Sequence, residues 1–507
     1  MRDWDARRIA VASGAELVVA PGRAPAAQRA AGEPGRAPGR PDEFPQGPGG
    51  VSIDSRTLAP GELFVGLRGE HTDGGEYAAQ ALRAGAWGVL VAPAQQQAAI
   101  AAARAVTGEE GAVGSRSSGA ERTDGAPGAG AVLVHEDPLR ALQALALQWR
   151  RRLGAGGTRV IAITGSTGKT STKDILAAML AASMRVAATP ANLNTEIGLP
   201  LALLRAPVDT QVVVLEMAMR GAGQIAQLTA IAEPDVGVIV NVGPAHLERL
   251  GSLQAIAAAK AELIAGLAPG ASVVVPADEP LLAAYLRADL HTITFGEGGE
   301  VSLAERRSDG TVLIEHAGER IELRPSFSQA HHLRNLLAAV AAARALGYTP
   351  HGELQVRFSA MRGQLLRLPG GVMVIDDCYN ANPMSVHAAI DELVATAAAR
   401  RVAVLGDMLE LGPSSPALHR EIGSYARAAG VDVLVTVGEL AAQMSATFAG
   451  ESHAAVDARE ASELVEELLR EGDTVLVKGS RGVHLEQVIE RLRVETRTSA
   501  AVGQGRR

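Results

Sequence analysis

The feature that most constrains this chain is a glycine-rich loop between a short apolar run and a helical pattern. Residues 160–163 have the length and β-branching of a buried strand, and a helical pattern restarts at Gly168. The loop has the form T-G-x-x-G-K-T, shorter than the standard G-x-x-x-x-G-K-[ST] pattern. Its backbone N–H groups and the helix N-terminus attract anions, Lys169 adds a charge for outer phosphates, and the Thr170 hydroxyl can ligate Mg²⁺. The alternative is a glycine-rich turn without a ligand.

The predicted phosphate loop therefore comprises Gly165, Ser166, Thr167, Gly168, Lys169, Thr170 and Ser171.

Length and charge exclude several classes of protein. A chain of 507 residues is too long for one ordinary domain. A net charge of −8 argues against a nucleic-acid partner, which needs a basic face. No apolar run reaches the length of a membrane span, and the N-terminus lacks a signal-peptide core, so we expect a cytoplasmic protein. The single cysteine, Cys378, excludes an internal disulfide.

The order of predicted elements indicates an α/β fold. Strand–helix alternation from residue 158 onward predicts a parallel sheet wrapped by helices, and a third alternating unit begins near residue 366. We predict three domains, at residues 1–155, 156–365 and 366–507, the last with a frayed tail. Two segments rich in Pro, Gly and Ala, at about 21–50 and 105–130, are predicted to be disordered inserts.

Lysine is unusually scarce. Of the 48 Lys and Arg residues only four are lysines, so these should mark places where a guanidinium will not serve. One of them, Lys260, falls on a mostly apolar helix face, where its pKa should be depressed. A neutral lysine amine can react with CO₂ to give a carbamate, which is a carboxylate-like ligand. The alternative is a snorkelling lysine.

Two further residues are candidate metal ligands at strand ends. Glu216 ends the predicted strand 211–216, and His246 lies in the loop after the predicted strand 235–241. Ligands of α/β sheets bind beyond the carboxyl ends of the strands. Each residue alone is weak evidence, because a solvated strand end or a loop histidine is more common than a ligand. Asparagines are also sparse and cluster at element ends, namely Asn192, Asn194, Asn241, Asn335, Asn380 and Asn382.

These motifs, in this order, resemble the Mur ligase family of ATP-dependent amino-acid ligases. The resemblance covers the chain outside the inserts and tail. It is carried by TGSTGKTSTK, NLNTEIGLP, LEMAMRGAGQI, PDVGVIVNVGPAHLERLGS, AAKAELI, HHLRN, IDDCYNANP, GDMLELG with the downstream His419, and VLVKGSRG. Within the family, DDCYNANP and GDMLELG resemble the members that add D-alanyl-D-alanine (D-Ala-D-Ala) to UDP-N-acetylmuramoyl-tripeptide (UDP-MurNAc-tripeptide).

The resemblance implies a small α/β UDP-sugar-binding domain, a central P-loop ATPase domain and a C-terminal Rossmann-like domain. It implies ATP and Mg²⁺ as cofactors, and catalytic roles for Lys169, His246 and Lys260. The implied metal ligands are Thr170, Glu216, His246 and Lys260 as a carbamate. Asn335, Arg362 and Asp377 match positions that contact ATP. The implied UDP-substrate residues are Asp54, Ser55, Arg56, Asn192, Asn194 and Thr195.

The implied reaction activates a peptide carboxylate as an acyl phosphate, which the amine of D-Ala-D-Ala then attacks. We expect a monomer that binds UDP-MurNAc-tripeptide and D-Ala-D-Ala. The sequence departs from the family pattern at Thr167, where Asn is usual, and at residues 329–332, where Gln-Ala-His-His replaces a glycine-led His-Asn run. Two alternatives remain open: a Mur ligase that adds a single amino acid, and a P-loop regulatory nucleotide-binding protein.

Overall fold

A computed structural model describes residues 1–19, 47–107 and 130–493. The chain divides into two compact units. The first comprises Met1–Val160, Arg185–Leu215 and Gln227–Glu233, and the second comprises Ile161–Met184, Glu216–Ala226 and Pro234–Arg507. Within the described ranges, every helix is too short or too polar to cross a membrane.

The N-terminal segment folds as a five-stranded sheet with helices. Its elements are α1 (Ala6–Ser13), β1 (Glu16–Val19), β2 (Val51–Ser52), β3 (Leu63–Val65), α2 (Ala78–Arg83), β4 (Gly88–Val91), α3 (Gln96–Thr107), β5 (Ala131–Val134) and α4 (Pro138–Ala155). The strand order is β1-β5-β4-β3-β2, in which only the β1–β5 pair is antiparallel. Strands β3, β4 and β5 are wholly buried, which explains why they read as continuous apolar runs.

The ends of both predicted inserts are ordered, so their predicted boundaries were too wide. Gly47 and Pro48 are buried, and the Gly47 N–H donates to Arg2 O at 2.9 Å. The sequence analysis did not predict α3, which includes residues 105–107. Residues 20–46 and 108–129, the bulk of both predicted inserts, lie outside the described residues, as does the predicted frayed tail from 494.

The middle segment alternates strands and helices, as predicted. Its elements are β6 (Arg159–Thr164), α5 (Lys169–Ala181), β7 (Val186–Ala188), α6 (Gly198–Arg205), β8 (Val212–Glu216), α7 (Gln224–Ala232), β9 (Val236–Ile239), α8 (Leu247–Leu250), α9 (Leu253–Gly266), β10 (Ser272–Pro276), β11 (His291–Phe295), β12 (Val301–Arg306), β13 (Val312–His316), β14 (Glu319–Pro325), α10 (Ala330–Ala345) and β15 (Gly352–Leu354).

The strands of the middle segment form a largely parallel sheet. In the second unit their order is β15-β14-β13-β12-β11-β10-β9-β6, with β13 antiparallel to both β12 and β14 and the other pairs parallel. Strands β7 and β8 also pair in parallel. The β6–β9 pairing brings the end of β6, where the phosphate loop begins, beside the start of the loop that carries His246.

The C-terminal segment is a Rossmann-like sheet covered on both faces. Its elements are β16 (Gln364–Arg367), β17 (Met373–Asp376), α11 (Pro383–Ala395), β18 (Arg400–Gly406), α12 (Ser415–Ala429), β19 (Val433–Val437), α13 (Ala442–Phe448), β20 (Glu451–Ala455), α14 (Ala458–Leu468) and β21 (Asp473–Lys478). The order is β16-β17-β21-β18-β19-β20, and only β16 is antiparallel to its neighbour. Alternate residues of these strands belong to two separate apolar cores, one on each face. Strands β16 and β20 were not predicted.

Candidate functional site

The phosphate loop joins β6 to α5 as the sequence predicted. Gly168, at the N-cap of α5, has a φ of +76° and makes no side-chain cap bond to the helix. The first N–H groups of a helix have no partner within the helix, so an uncapped N-terminus presents donors and positive dipole to an anion. The Lys169 ammonium donates to Gly165 O at 2.8 Å, which folds this side chain over its own loop.

Asn241 holds the loop in shape. Its Oδ1 accepts hydrogen bonds from Ser166 N and Thr167 N, each at 3.0 Å, and its Nδ2 donates to Thr167 O at 3.1 Å. Ser166 Oγ in addition donates to Gly243 O at 2.9 Å. These bonds fix the first half of the loop to the segment after β9.

The predicted metal ligands Thr170 and Glu216 are in contact. The buried Thr170 Oγ1 donates to Glu216 Oε2 at 2.9 Å. Burial lowers the pKa of His246, and the nearby carboxylate of Glu410 opposes this shift by favouring the protonated ring. Lys169 and Lys260 both act electrostatically on His246, and Glu216 acts on Lys169, so these side chains share one neighbourhood.

This set of donors fits a magnesium ion. Hydroxyl and carboxylate oxygens are the donors that Mg²⁺ prefers, and Thr170 and Glu216 present one of each side by side. Within the described residues, no cluster of three or more His, Cys, Asp or Glu side chains could hold a metal. An ion at this site would therefore have to draw its remaining ligands from His246, from Lys260 after modification, and from water or substrate.

Lys260 lies in the middle of α9 and is one of the largest fully buried side chains, 1% exposed. Burial, with the positive charge of Lys169 as a smaller cause, holds the pKa of Lys260 well below its usual range. Burial of this kind favours the uncharged form of an amine, which is the nucleophilic form.

Two of the three predicted ATP contacts lie beside the phosphate loop. A Cβ atom on Gly168 would meet Asn335 Oδ1 at 2.5 Å, so Asn335 packs directly on the loop. Arg362 Nη2 lies 3.4 Å from Thr170 Oγ1, and its guanidinium stacks 4.1 Å over the Tyr379 ring.

The third predicted ATP contact, Asp377, is held by a lysine that we had not assigned. Lys478, at the end of β21 and 2% exposed, donates from Nζ to Asp377 Oδ2 at 2.6 Å and to Asn380 O at 3.0 Å. The charges of Asp377 and Lys478 both act on His331, at the start of α10.

The residues that depart from the family pattern form an aromatic and acidic cluster. His332 stacks on Phe358 with ring centroids 4.2 Å apart, and burial lowers the pKa of His332 to about 3. Gln329 Nε2 donates to Glu392 Oε1 at 2.8 Å. Burial raises the pKa of Glu392, whose other oxygen lies 4.0 Å from His331 Nε2, to about 7. The cluster joins α10 to α11.

The predicted UDP-substrate residues fall at two places in the first unit. Asp54, Ser55 and Arg56 follow β2, and the hydrogen bonds from Arg56 lower the pKa of Asp54 to about 2. The segment that carries Asn192, Asn194 and Thr195 leads into α6, and α6 packs against β2.

A separate cavity of about 390 Å³ lies at the carboxyl edge of the C-terminal sheet. It is lined by Asp407, Leu409, Gly438, Val456, Asp457, Ala458, Arg459, Gly482, Val483, His484 and Gln487. The lining combines carboxylates and a guanidinium with apolar side chains, of which Leu409 and Val456 are exposed. Such a lining suits a small zwitterion with short apolar groups.

Four residues with clear structural roles were not assigned by the sequence analysis: Asn241, Glu410, His419 and Lys478. The scarcity of lysine and asparagine had already marked Lys478 and Asn241. The hydrogen bond of Glu410 to His246 depends on tertiary contact and left no sequence signal beyond the GDMLELG motif.

The fold and the loop define a P-loop nucleotide-binding protein of the α/β class. Three family models match successive segments: the Mur ligase family catalytic domain at residues 49–150, the Mur ligase middle domain at 163–343, and the Mur ligase glutamate ligase domain at 361–481. The chain belongs to the Mur ligase family. The predicted three-domain α/β architecture is confirmed.

Relatives and solved structures support the same assignment. The UDP-N-acetylmuramoyl-tripeptide–D-alanyl-D-alanine ligase of Bacillus subtilis is 34% identical, covering 87% of this chain and 93% of its own. The ligase of the same name from Mycobacterium tuberculosis strain H37Rv is 36% identical, and the match covers 88% of this chain and 92% of the relative. The crystal structure of MurF from Acinetobacter baumannii has a TM-score of 0.76 at 27% identity and covers 96% of this chain and 98% of its own. The crystal structure of MurF from Thermotoga maritima in complex with ADP has a TM-score of 0.71 at 28% identity, and the match covers 89% of this chain and 98% of that one.

Proposed function

We propose that this chain is an ATP-dependent ligase that joins D-Ala-D-Ala to UDP-MurNAc-tripeptide and forms the pentapeptide precursor of peptidoglycan. The observation that carries the proposal is the similarity, over nearly the full length, to relatives whose names state this activity. The geometry is consistent with it, since the phosphate loop, the Thr170–Glu216 pair and the buried Lys260 lie together.

ATP activates the tripeptide carboxylate. A carboxylate oxygen attacks the γ-phosphorus, ADP leaves, and an acyl phosphate forms. The start of α5 and the ammonium of Lys169 neutralise the charge that moves among the phosphate oxygens. The Lys169 ammonium has three donors, so it can donate to phosphate oxygens and also keep its bond to Gly165 O. Asn335 and Arg362 contact the nucleotide from the sides of the loop.

The metal would be Mg²⁺, held by Thr170, Glu216, His246 and the carbamate of Lys260, and it would screen the phosphate charges. The carbamate forms when the neutral Lys260 amine adds to CO₂ and releases a proton. The positive charge of Lys169 disfavours a protonated Lys260 amine, whereas it attracts the carbamate anion that replaces it.

The second half-reaction is aminolysis. The dipeptide ammonium first loses a proton, and the resulting amine attacks the acyl carbon. The tetrahedral intermediate then expels inorganic phosphate and loses a second proton to give the amide. We place the dipeptide in the C-terminal cavity, where Asp407 and Asp457 suit its ammonium, Arg459 its carboxylate, and the apolar lining its two methyl groups.

Further parts of the proposal follow from the sequence analysis. Asp54, Ser55, Arg56, Asn192, Asn194 and Thr195 hold the UDP-substrate. The domain boundaries lie after residues 155 and 365, and the enzyme acts as a cytoplasmic monomer.

The test measures phosphate release from ATP with UDP-MurNAc-tripeptide. We expect release to require D-Ala-D-Ala and to be far slower with D-alanine alone. Equal efficiency with D-alanine would instead support a ligase that adds one amino acid, and release without any amine would contradict the ligase assignment.

A further inference from the structure

The GDMLELG loop, residues 406–412 after β18, takes part in two sites within the second unit. Two of its side chains, Asp407 and Leu409, line the C-terminal cavity. The next residue, Glu410, reaches His246, which lies beside the phosphate loop. One short segment therefore joins the proposed amine pocket to the proposed metal site.

The base of the loop is fixed to the C-terminal sheet. The fully buried His419 accepts a hydrogen bond at Nε2 from Met408 N at 3.0 Å. Ser480 Oγ accepts from Leu409 N at 2.9 Å, and Asp407 Oδ1 accepts from Ala441 N at 2.6 Å. A displacement of the cavity wall would therefore move the loop as one piece.

The tip of the loop is fixed to His246. The Glu410 carboxylate bonds His246 Nδ1, and Glu248 N donates to Glu410 O at 3.0 Å. Both Glu410 and His246 have positive φ, +62° and +58°, a conformation that is unfavourable for a non-glycine residue. The contact between them is one of the interactions that hold both residues in this conformation.

The bond also sets the state of the imidazole. When Nδ1 carries the proton given to Glu410, Nε2 keeps a lone pair and can bind a metal. A carboxylate on the second nitrogen of a metal-binding histidine fixes its tautomer and orientation.

We propose that Glu410 is a positioning residue that holds His246 in its ligand form and thereby couples occupancy of the amine pocket to metal affinity. This inference rests on the proposed function, because it takes the cavity as the dipeptide site. Binding linkage requires the effect to be reciprocal, so the bound metal tightens the dipeptide as much as the dipeptide tightens the metal.

The test uses Mn²⁺, whose spin resonance signal reports free and bound ion without turnover. The full chain is titrated in the presence of ADP and UDP-MurNAc-tripeptide, with and without D-Ala-D-Ala. In the wild type we expect the dipeptide to tighten Mn²⁺ by about 5-fold or more. Glu410→Gln should weaken Mn²⁺ by about 10- to 100-fold and remove the effect of the dipeptide. Glu467→Gln, on an exposed part of α14, removes the same charge and should match the wild type.

The possible outcomes distinguish the role of Glu410 from the proposed function. A Glu410→Gln enzyme with wild-type Mn²⁺ affinity and an intact dipeptide effect overturns the inference, as does a wild type that turns over but shows no dipeptide effect. A wild type that releases no phosphate in response to the dipeptide overturns the proposed function, and the inference with it. Unfolding midpoints of both variants, expected within a few degrees of wild type, exclude misfolding as the cause of lost affinity.

Discussion

At the residue scale, Lys260 is the position where the carbamate hypothesis and a structural role predict different results. Lys260→Arg keeps a basic side chain of similar length but cannot form a carbamate. We expect kcat to fall by roughly 10²–10³, the effect of removing one electrostatic stabiliser. Lys260→Ala should be partly rescued by a small carboxylic acid such as formate. The measurement is kcat at saturating substrates.

Lys173→Arg is the matched control for Lys260. Lys173 is also buried on a helix of the second unit, but its ammonium lies 3.1 Å from Asp174 Oδ1 and an arginine can keep that pair. Its kcat should stay within a few-fold of wild type. An active Lys260→Arg enzyme would end the carbamate hypothesis.

A second prediction concerns Gly168, which must be glycine for two reasons. Its φ of +76° disfavours a side chain, and an added Cβ would lie 2.5 Å from Asn335 Oδ1. Gly168→Ala should weaken ADP binding by about 10-fold or more, since roughly 1–2 kcal/mol of backbone strain adds to the displacement of Asn335. Calorimetric titration with ADP measures this. Gly157→Ala is the control, because Gly157 has a φ of +91° and an added Cβ there would meet nothing within 4 Å. Equal losses of ADP affinity in the two variants would show that Asn335 is not involved.

At the level of elements, the contact between α10 and α11 predicts a pH-dependent stability. The pKa of Glu392 is about 7 in the folded state against 4.5 ordinarily, because the side chain is buried. Between these values the folded protein binds more protons than the unfolded one, so the free energy of unfolding falls as pH rises. The full effect is roughly 3 kcal/mol above pH 7.

Glu392→Gln removes this titration but can still accept the hydrogen bond from Gln329. Relative to wild type, the variant should gain stability between pH 5 and pH 8 by up to roughly 3 kcal/mol. Urea unfolding of both proteins at the two pH values measures the gain. Glu467→Gln should show no such change. A stability difference between Glu392→Gln and wild type that is the same at pH 5 and pH 8 would contradict the raised pKa of Glu392.

The sequence analysis predicted best the strands that are buried along their whole length. Buried parallel strands such as β5 and β19 read as continuous apolar runs, which is the signal that the sequence analysis used. The edge strands β16 and β20 have exposed, polar positions and gave no such signal. At the site, Lys260 and Glu216 were predicted from residue type and position. The contact of Glu410 with His246 joins residues 164 positions apart, and no local pattern encodes it.

For the whole molecule, the last prediction concerns the segment between β1 and β2. From the composition of residues 23–44, rich in Pro, Gly, Ala and Arg, the sequence predicts too little buried apolar surface to offset the entropy of ordering. We therefore expect a deletion of residues 23–44 to keep kcat and the unfolding midpoint near wild type. A deletion of residues 23–48 should be less stable, because it also removes Gly47. The Gly47 N–H bonds Arg2 O at 2.9 Å, and a Cβ there would lie 1.9 Å from Trp4 O, so only glycine fits this close approach. Thermal unfolding of both deletions decides the matter. Equal midpoints would show that Gly47 contributes nothing, and a loss of folding in the shorter deletion would show that residues 23–44 belong to the fold.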